Sequence, residues 1–288
     1  MKLALGTAQF GMGYGLSNTI GKVPQFEAQK MLDFALDNSI DLLDTAISYG
    51  SSEECLGHAG VTDFKVIMKL PPVPENCANV YHWVEEQVTA SRSRIGVDVF
   101  YGLLLHKAGD LIGVKASELY TALDAHRKNG EVHKIGVSIY SPHELDLINE
   151  NFSIDIVQAP FNLIDRRLHA SGWLHRLKGR GIEVHARSIF LQGLLLMPLS
   201  DIPTKFNRWP DLWMRWNQWR LENAVAPINA CISFASQFEE IDRMIVGATS
   251  VRELQEITNA FSNNFIGPFP NLESYDEMLL NPSNWNSL

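Results

Sequence analysis

The 288-residue sequence predicts an α/β protein, with a single (β/α)8 TIM barrel over residues 1–266 and a C-terminal extension, residues 267–288, that folds over the barrel. Short apolar runs alternate with longer segments of helical periodicity, which is the order of elements in such a barrel. No stretch rich in Pro, Gly or Ser separates two domains. A doubly wound parallel sheet is the alternative. It is disfavoured because "GMGYG" (residues 11–15) lacks the Gly-x-Gly-x-x-Gly spacing of its first turn.

Eight apolar runs predict the strands of the barrel. Parallel strands that are covered on both faces read as continuous apolar runs rather than as a strict alternation of apolar and polar residues. The runs are residues 2–8, 40–45, 64–70, 97–106, 133–138, 154–159, 182–188 and 241–248.

The segments between these runs predict helices. Their apolar residues recur three or four positions apart, and several segments end on Gly, a common helix stop. The clearest are residues 24–39, 80–96, 116–130, 142–152 and 170–181.

Composition limits the function classes. The chain is 45% hydrophobic and 20% charged, as expected of a globular protein, and its net charge of −9 disfavours a nucleic-acid binder. Cys55, Cys77 and Cys231 are odd in number and widely spaced, which is typical of a reducing compartment. No targeting segment is evident, and the apolar stretch 189–199 is too short to span a bilayer. We therefore predict a cytoplasmic protein that does not bind membranes.

Polar residues occur where three consecutive strands are predicted to end. Asp44 ends the second strand, Tyr49 follows in the next loop, Lys69 lies near the end of the third strand, and His106 ends the fourth. The catalytic face of a (β/α)8 barrel is the one where the strands end. Each residue alone has a structural explanation, such as a strand-end cap or a buried histidine. Together they favour a catalytic group.

The chemistry of this group suits proton delivery to a carbonyl oxygen. A nearby ammonium is expected to lower the pKa of a tyrosine, and a carboxylate can hold that ammonium in place. A histidine can donate a hydrogen bond that orients the carbonyl. The sequence shows neither a hydrolase nucleophile motif nor a paired-carboxylate glycosidase site, and Glu54 with His58 lacks a third metal ligand.

Four segments resemble the aldo-keto reductase family. "LLDTAISYGSSEECLG" (residues 42–57) is similar to its Asp-Thr-Ala-x-x-Tyr-Gly-x-x-Glu-x-x-Leu-Gly motif, and residues 130–138, 157–162 and 245–257 are similar to later signatures. The resemblance covers nearly the whole chain. It implies NAD(P)H-dependent reduction of an aldehyde or ketone, with Tyr49 as the proton donor and Asp44, Lys69 and His106 completing a catalytic tetrad.

The resemblance also implies a set of cofactor-binding residues and no metal. They form the nicotinamide site, the loop around the pyrophosphate and the phosphate site at the last helix. They are Gly6, Thr7, Asp44, Ser138, Gln158, Arg187, Ser188, Phe190, Leu191, Gly193, Gly247, Ala248, Thr249, Ser250, Arg252 and Glu256.

The sequence departs from the family pattern at several of these positions. Ile139 replaces an Asn, and Arg187 replaces a Tyr that stacks under the nicotinamide. Arg187 could stack in its place, contact an anionic substrate or pair with Glu183. Thr249 stands where NADP-binding members often have Lys or Arg, and Glu256 is followed by Ile where the family tends to have Asn. NADP(H) is the favoured cofactor, and NAD(H) is the alternative.

The substrate side carries two further patterns. Trp209, Trp213 and Trp216 share one helical face, which favours packing against the barrel over an aromatic wall for a sugar or aromatic aldehyde. Arg166 and Arg167 could meet an anion, but an exposed pair of arginines is usually solvated.

Two functions of different class follow. The first is an NAD(P)H-dependent reductase of a small carbonyl compound, acting as a monomer or a small homo-oligomer. The second is a cofactor-binding regulatory barrel with little turnover, like the potassium-channel β subunits of the same family.

Overall fold

The computed structural model describes residues 2–148, 150 and 152–288, and its centre is a closed barrel of eight parallel strands in chain order. The predicted fold class is confirmed, and each predicted apolar run contains or overlaps one strand. The barrel closes where Leu3 of the first strand pairs with Met244 of the last. The strands are β1 Leu3–Gly6, β2 Leu42–Asp44, β3 Lys65–Leu70, β4 Phe100–Leu105, β5 Val132–Ser138, β6 Ile156–Pro160, β7 Glu183–Arg187 and β8 Arg243–Gly247.

Helices follow the strands and surround the barrel. The predicted helix over residues 142–152 forms only as His143–Leu147, and Asn149 and Asn151 lie outside the described residues. The helices are α1 Ala8–Gly11, α2 Gln25–Asp37, α3 Ser52–Ala59, α4 Val80–Ile95, α5 Ala116–Lys128, α6 His143–Leu147, α7 Arg167–Ala170, α8 Trp173–Gly179, α9 Pro210–Glu222, α10 Pro227–Ser236, α11 Val251–Ser262 and α12 Glu277–Leu280. Short 3-10 helices add Ala108–Leu111, Leu191–Leu196, Leu199–Asp201, Thr204–Arg208 and Pro282–Ser287.

The core has two parts because every barrel strand has two faces. Most of the buried apolar side chains form one large cluster that includes the residues packed between strands and helices. A second, smaller cluster combines single residues from six strands, as expected of the barrel interior. Its members are Ala4, Leu42, Ile67, Leu104, Ile156 and Ile245. The barrel interior is therefore filled by apolar side chains, and polar side chains that could form a site lie at the strand ends.

The C-terminal extension is held against the barrel by two arginines. Arg166 donates to Pro270 O at 2.7 Å, and Arg167 bonds both Asp165 and Glu277 of α12. The expectation of a solvated pair was wrong: Arg167 is buried and bonds two carboxylates of this chain, and Arg166 bonds a backbone carbonyl of the extension. The residue at which the extension begins stays a prediction.

The tryptophan stripe packs the chain rather than lining the site. Trp213 and Trp216 are buried, and their indole N–H groups donate to Phe206 O and Leu195 O. Trp209 donates to Asp276 of the extension. These contacts support the packing interpretation of the stripe.

Within the described residues, no helix is both long enough and apolar enough to cross a bilayer.

Candidate active site

A buried ion pair lies at the strand ends. Asp44 ends β2, and Lys69 is the penultimate residue of β3, so the barrel brings their side chains together. Lys69 Nζ lies 2.5 Å from Asp44 Oδ2, and the lysine side chain is fully buried. Burial lowers the pKa of Lys69, and the Asp44 carboxylate opposes that shift. Removal of either partner would leave an unpaired buried charge, which proteins rarely tolerate.

Tyr49 lies next to this pair in the loop between β2 and α3. Its Oη is 3.4 Å from Lys69 Nζ, and that ammonium also lies 5.1 Å from the centre of the phenol ring. Burial raises the pKa of Tyr49 well above its ordinary value, the charge of Asp44 raises it further, and Arg187 lowers it. The expectation of a lowered pKa is not met here, because burial and the charge of Asp44 both raise the pKa of Tyr49. Tyr49 is therefore a protonated phenol at neutral pH.

His106 completes the group that the sequence predicted. It follows β4, and its ring meets that of Tyr49 edge-on with centroids 5.6 Å apart. Its Nδ1 lies 3.0 Å from Ser48 Oγ. Burial, together with the charge of Lys69, lowers the pKa of His106 to about 4. The ring is thus a neutral hydrogen-bonding group at pH 7.

Two further predicted residues hold Asp44 in place. Gln158 Nε2 donates to Asp44 Oδ1 at 2.7 Å, so the two carboxylate oxygens have different partners. Thr7 donates from both its backbone N–H and its Oγ1 to Asp44 O, each at 3.0 Å. Ser138 pairs in register with Gln158, which brings both polar side chains to the same end of the barrel. These bonds fix the carboxylate before any ligand binds.

A cavity of about 560 Å³ opens over this group. It extends from the strand ends to the beginning of α11, and most of the predicted cofactor-binding residues line it. They are Gly6, Thr7, Asp44, Ser138, Gln158, Arg187, Ser188, Phe190, Gly193, Gly247, Ala248, Thr249 and Glu256. Of the tetrad, Tyr49, His106 and Asp44 line it, whereas Lys69 lies buried behind them.

Three predicted cofactor residues do not line the cavity. Leu191 is buried in the main apolar core. Ser250 is the N-cap of α11, and its side chain accepts a hydrogen bond from Glu253 N. Arg252 is exposed and lies 3.1 Å from Glu256. The side chains at these positions thus contact other parts of the protein or solvent. Their predicted role in cofactor binding therefore depends on their backbone groups.

Arg187 ends β7 and lines the cavity. Its guanidinium lies 4.6 Å from the centre of the Tyr140 ring, and its Nη2 donates to Ile139 O at 2.8 Å. The expected alternative of a pair with Glu183 was wrong, because Glu183 bonds Lys134, Tyr101 and His185 instead.

Other cavity residues were not predicted from the sequence. They lie in segments that follow different strands and carry hydroxyl or amide groups: Gln9, Tyr14, Ser17, Asn18, Ser48, Tyr140 and Gln192. A weak signal exists for one loop, since "GMGYG" places Tyr14 among glycines after the first strand. The others carry no local pattern, because the fold alone brings them together.

Within the described part of the chain, no group of three or more His, Cys, Asp or Glu side chains is arranged to hold a metal ion.

Comparisons with known proteins agree with this geometry. The model of the Aldo/keto reductase family matches residues 2–266. The L-glyceraldehyde 3-phosphate reductase of Escherichia coli O157:H7 is 26% identical over 295 residues, which covers 88% of this chain and 84% of that protein. The glyoxal reductase of Bacillus subtilis is 26% identical over 261 residues, with 88% of each chain covered. A solved glycerol dehydrogenase from Gluconobacter oxydans superposes with a TM-score of 0.71 at 20% identity, covering 92% of this chain and 88% of that one.

Proposed function

Because the chain belongs to the Aldo/keto reductase family, we propose that it reduces an aldehyde or ketone to the alcohol with NADPH or NADH, and that Tyr49 supplies the proton. One observation carries the proposal. The buried Asp44–Lys69 pair lies beside the phenol of Tyr49 at one end of a cavity that also exposes His106. This arrangement has no need of a nucleophile and suits an oxygen that gains negative charge.

The residues around the cavity fit a dinucleotide. Its far end reaches the first turn of α11, a helix of 12 residues, where the helix dipole favours an anion. Among the described residues, the amides of Ser250 and Arg252 have no hydrogen-bond partner, so both are free to bind phosphate. Gly247, which has no side chain, lines the cavity between the tetrad and α11. When bound, the nicotinamide would supply the hydride.

Tyr49 delivers the proton in this proposal. Its raised pKa keeps the phenol protonated until a substrate oxygen becomes basic enough to take the proton. Lys69, held by Asp44, then lies close enough to stabilise the phenolate that forms. The charge of Lys69 thus stabilises the phenolate that forms when the proton leaves, rather than lowering the pKa of the phenol beforehand.

His106 orients the carbonyl. In the tautomer in which Ser48 Oγ donates to Nδ1, the ring carries its proton on Nε2, which is then a donor for the substrate oxygen. The pKa near 4 keeps the ring neutral, so it positions the oxygen without competing for the proton.

Replacement of Tyr49 by Phe tests the proposal. Oxidation of NADPH or NADH by a reactive aldehyde, followed at 340 nm, should slow by about 100- to 10,000-fold in Tyr49→Phe, since a positioned general acid contributes that much. Cofactor affinity, from quenching of tryptophan fluorescence, should change by less than about threefold.

Tyr101→Phe is the matched control. It removes a phenol from the same barrel, whose Oη bonds Glu183 rather than the tetrad, and it should keep wild-type turnover. Equal turnover in Tyr49→Phe and wild type would refute the proposed role of Tyr49. Tight cofactor binding without turnover by the wild type on a panel of reactive carbonyls would instead support a regulatory barrel.

A further inference from the structure

The cavity contains a cation that the proposed reaction does not use. Among the described residues that line it, Arg187 is the one with a lysine or arginine side chain. Lys69 lies behind the cavity wall and is paired with Asp44. His106 is neutral at pH 7, because its pKa is near 4. The positive charge at the tetrad end of the cavity therefore belongs to Arg187.

This charge has no anionic partner among the described residues. The bonds of the guanidinium go to neutral atoms, Ile139 O at 2.8 Å and Ser188 Oγ at 3.2 Å. Arginine has five N–H groups, and these two bonds leave three for a ligand. The carboxylates at the other end of the cavity are engaged elsewhere, since Glu253 accepts from Thr249 N and Glu256 pairs with Arg252.

The chain holds Arg187 firmly in this position. One face of the guanidinium packs on the Tyr140 ring, and β7 pairs Arg187 with Pro160 of β6. The following residue, Ser188, has a positive φ of 60°, and Asn162 Nδ2 donates to its carbonyl at 3.0 Å. Backbone in this region is unfavourable for residues other than Gly, and it persists mainly at functional sites. The side chain is thus presented to the cavity in a fixed geometry.

A half-buried cation without a counter-ion costs free energy, which a bound anion would recover. Arg187 is close enough to the tetrad that its charge acts on the pKa values of Tyr49, Lys69 and His106. Burial is the main cause of all three shifts: at Tyr49 burial raises the pKa and the charge of Arg187 opposes it, whereas at Lys69 and His106 both lower the pKa. A molecule that reaches Tyr49 therefore lies within range of this guanidinium.

We propose that Arg187 binds an anionic group of the carbonyl substrate, a carboxylate or a phosphate, so that the enzyme selects anionic aldehydes or ketones over neutral ones. The inference rests on the proposed reductase function. The planar fork of N–H donors matches both oxyanions, and charge-assisted bonds of this kind are stronger than neutral ones. A nicotinamide stack on Arg187 is the competing role.

The first experiment compares matched substrates. The values of kcat/KM are measured for 4-carboxybenzaldehyde against its methyl ester and for glyceraldehyde 3-phosphate against glyceraldehyde. Wild type should prefer the anion of at least one pair by about 10- to 100-fold, mainly through KM. The pair that shows the preference identifies carboxylate or phosphate as the group.

Variants assign this preference to one residue. Arg187→Met should bring the anion-to-neutral ratio close to one, and Arg187→Lys should restore part of it. Arg215→Met removes an exposed arginine of α9 and should leave the ratio unchanged. A ratio near one for both pairs in wild type would overturn the inference while leaving the reductase proposal intact. An unchanged ratio in Arg187→Met would overturn it equally.

A binding measurement separates this inference from the proposed function. Benzoate and benzamide have the same shape but differ in charge, and their affinities can be measured by calorimetry without turnover. Tighter binding of benzoate to wild type, by about tenfold, and its loss in Arg187→Met would support an anion site even if no carbonyl were reduced. Equal affinities for the two compounds, with weaker NADPH binding in Arg187→Met, would overturn the inference in favour of the nicotinamide stack.

Discussion

Tyr49 is a phenol whose surroundings oppose its ionisation. Burial and the Asp44 charge both raise its pKa, while Lys69 lies 3.4 Å away with its own charge compensated. The same carboxylate that raises the tyrosine pKa holds the lysine in position. One acidic residue at the end of β2 thus raises the pKa of both neighbours, in addition to the effect of burial on each.

The pH dependence of reduction follows from these charge states. In the proposed reaction the protonated form of Tyr49 is the donor, so activity should fall only as pH rises through its raised pKa, above about 10. His106 must be neutral, and it gains a proton only near its pKa of about 4. We expect kcat to be flat between about pH 5 and pH 9. A titration of kcat near neutral pH, measured in buffers of constant ionic strength, would contradict this account.

At the scale of elements, α11 has a mixed electrostatic character at its N-terminus. In the proposed cofactor site, the helix dipole and the amides of Ser250 and Arg252 would attract phosphate, whereas Glu253 and Glu256 line this end of the cavity. Arg252 is drawn to Glu256 at 3.1 Å, so its charge is partly neutralised. The balance between these groups would set the preference between a cofactor with and one without a 2′-phosphate.

Neutralisation of Glu256 should shift this preference. Glu256→Gln removes one negative charge and releases Arg252, so NADPH should bind about 2- to 5-fold more tightly, with a smaller change for NADH. The ratio of the two affinities, measured by fluorescence titration at low salt, checks the prediction. The control is Glu222→Gln, which removes the charge of an exposed residue of α9. Identical NADPH-to-NADH ratios in wild type and Glu256→Gln would contradict it.

At the scale of the whole molecule, the barrel keeps its stabilising polar cluster away from its reactive one. Glu183 begins β7, at the opposite end of the strand from Arg187, and bonds Lys134, Tyr101 and His185. Burial alone would raise the pKa of Glu183, but the bonds to His185, Lys134 and Tyr101 outweigh it and lower the pKa to about 2. This cluster at the beginning of β7 would contribute to stability, whereas the proposed chemistry takes place where the strands end.

Loss of the Glu183 charge should therefore affect stability and spare activity. Glu183→Gln should lower the free energy of unfolding by about 1–3 kcal/mol at pH 7, because Lys134 loses its counter-ion. The folded-state pKa is depressed, so this contribution is full above the ordinary value of 4.5 and is lost as pH falls towards about 2. Urea unfolding at pH 7 and at pH 3 measures the loss of stability and its pH dependence. The control is Glu118→Gln, which replaces an exposed residue of α5. A constant difference between the two pH values would contradict the assignment.

The parts of the molecule that could be predicted from the sequence are those that depend on local pattern. The eight strands have continuous apolar runs, and Asp44, Lys69 and His106 stand out because each polar residue interrupts or ends such a run. Closure of the barrel then brings these strand ends together. Local pattern and strand order were sufficient to predict that these candidate residues lie together.

The rest depended on contacts between distant segments. The sequence predicts that Arg167 is solvated, whereas in the structure it bonds Glu277, 110 positions later in the chain. The sequence led to the expectation that the pKa of Tyr49 falls. That expectation missed burial and the contact of Asp44 with Lys69, because both are properties of the packed site. The contact of Arg187 with Tyr140 joins the end of β7 to the loop that follows β5. None of these contacts has a signal in the local sequence.

The most direct test of the central claim is the fate of the hydride. Wild-type protein is incubated with NADPH or NADH carrying two deuterium atoms at nicotinamide C4 and with a reactive aldehyde, and the alcohol is analysed by mass spectrometry. The account predicts one deuterium on the carbinol carbon for each cofactor oxidised. Saturable cofactor binding with no deuterium in any alcohol would contradict it and leave a barrel that binds a cofactor without using it.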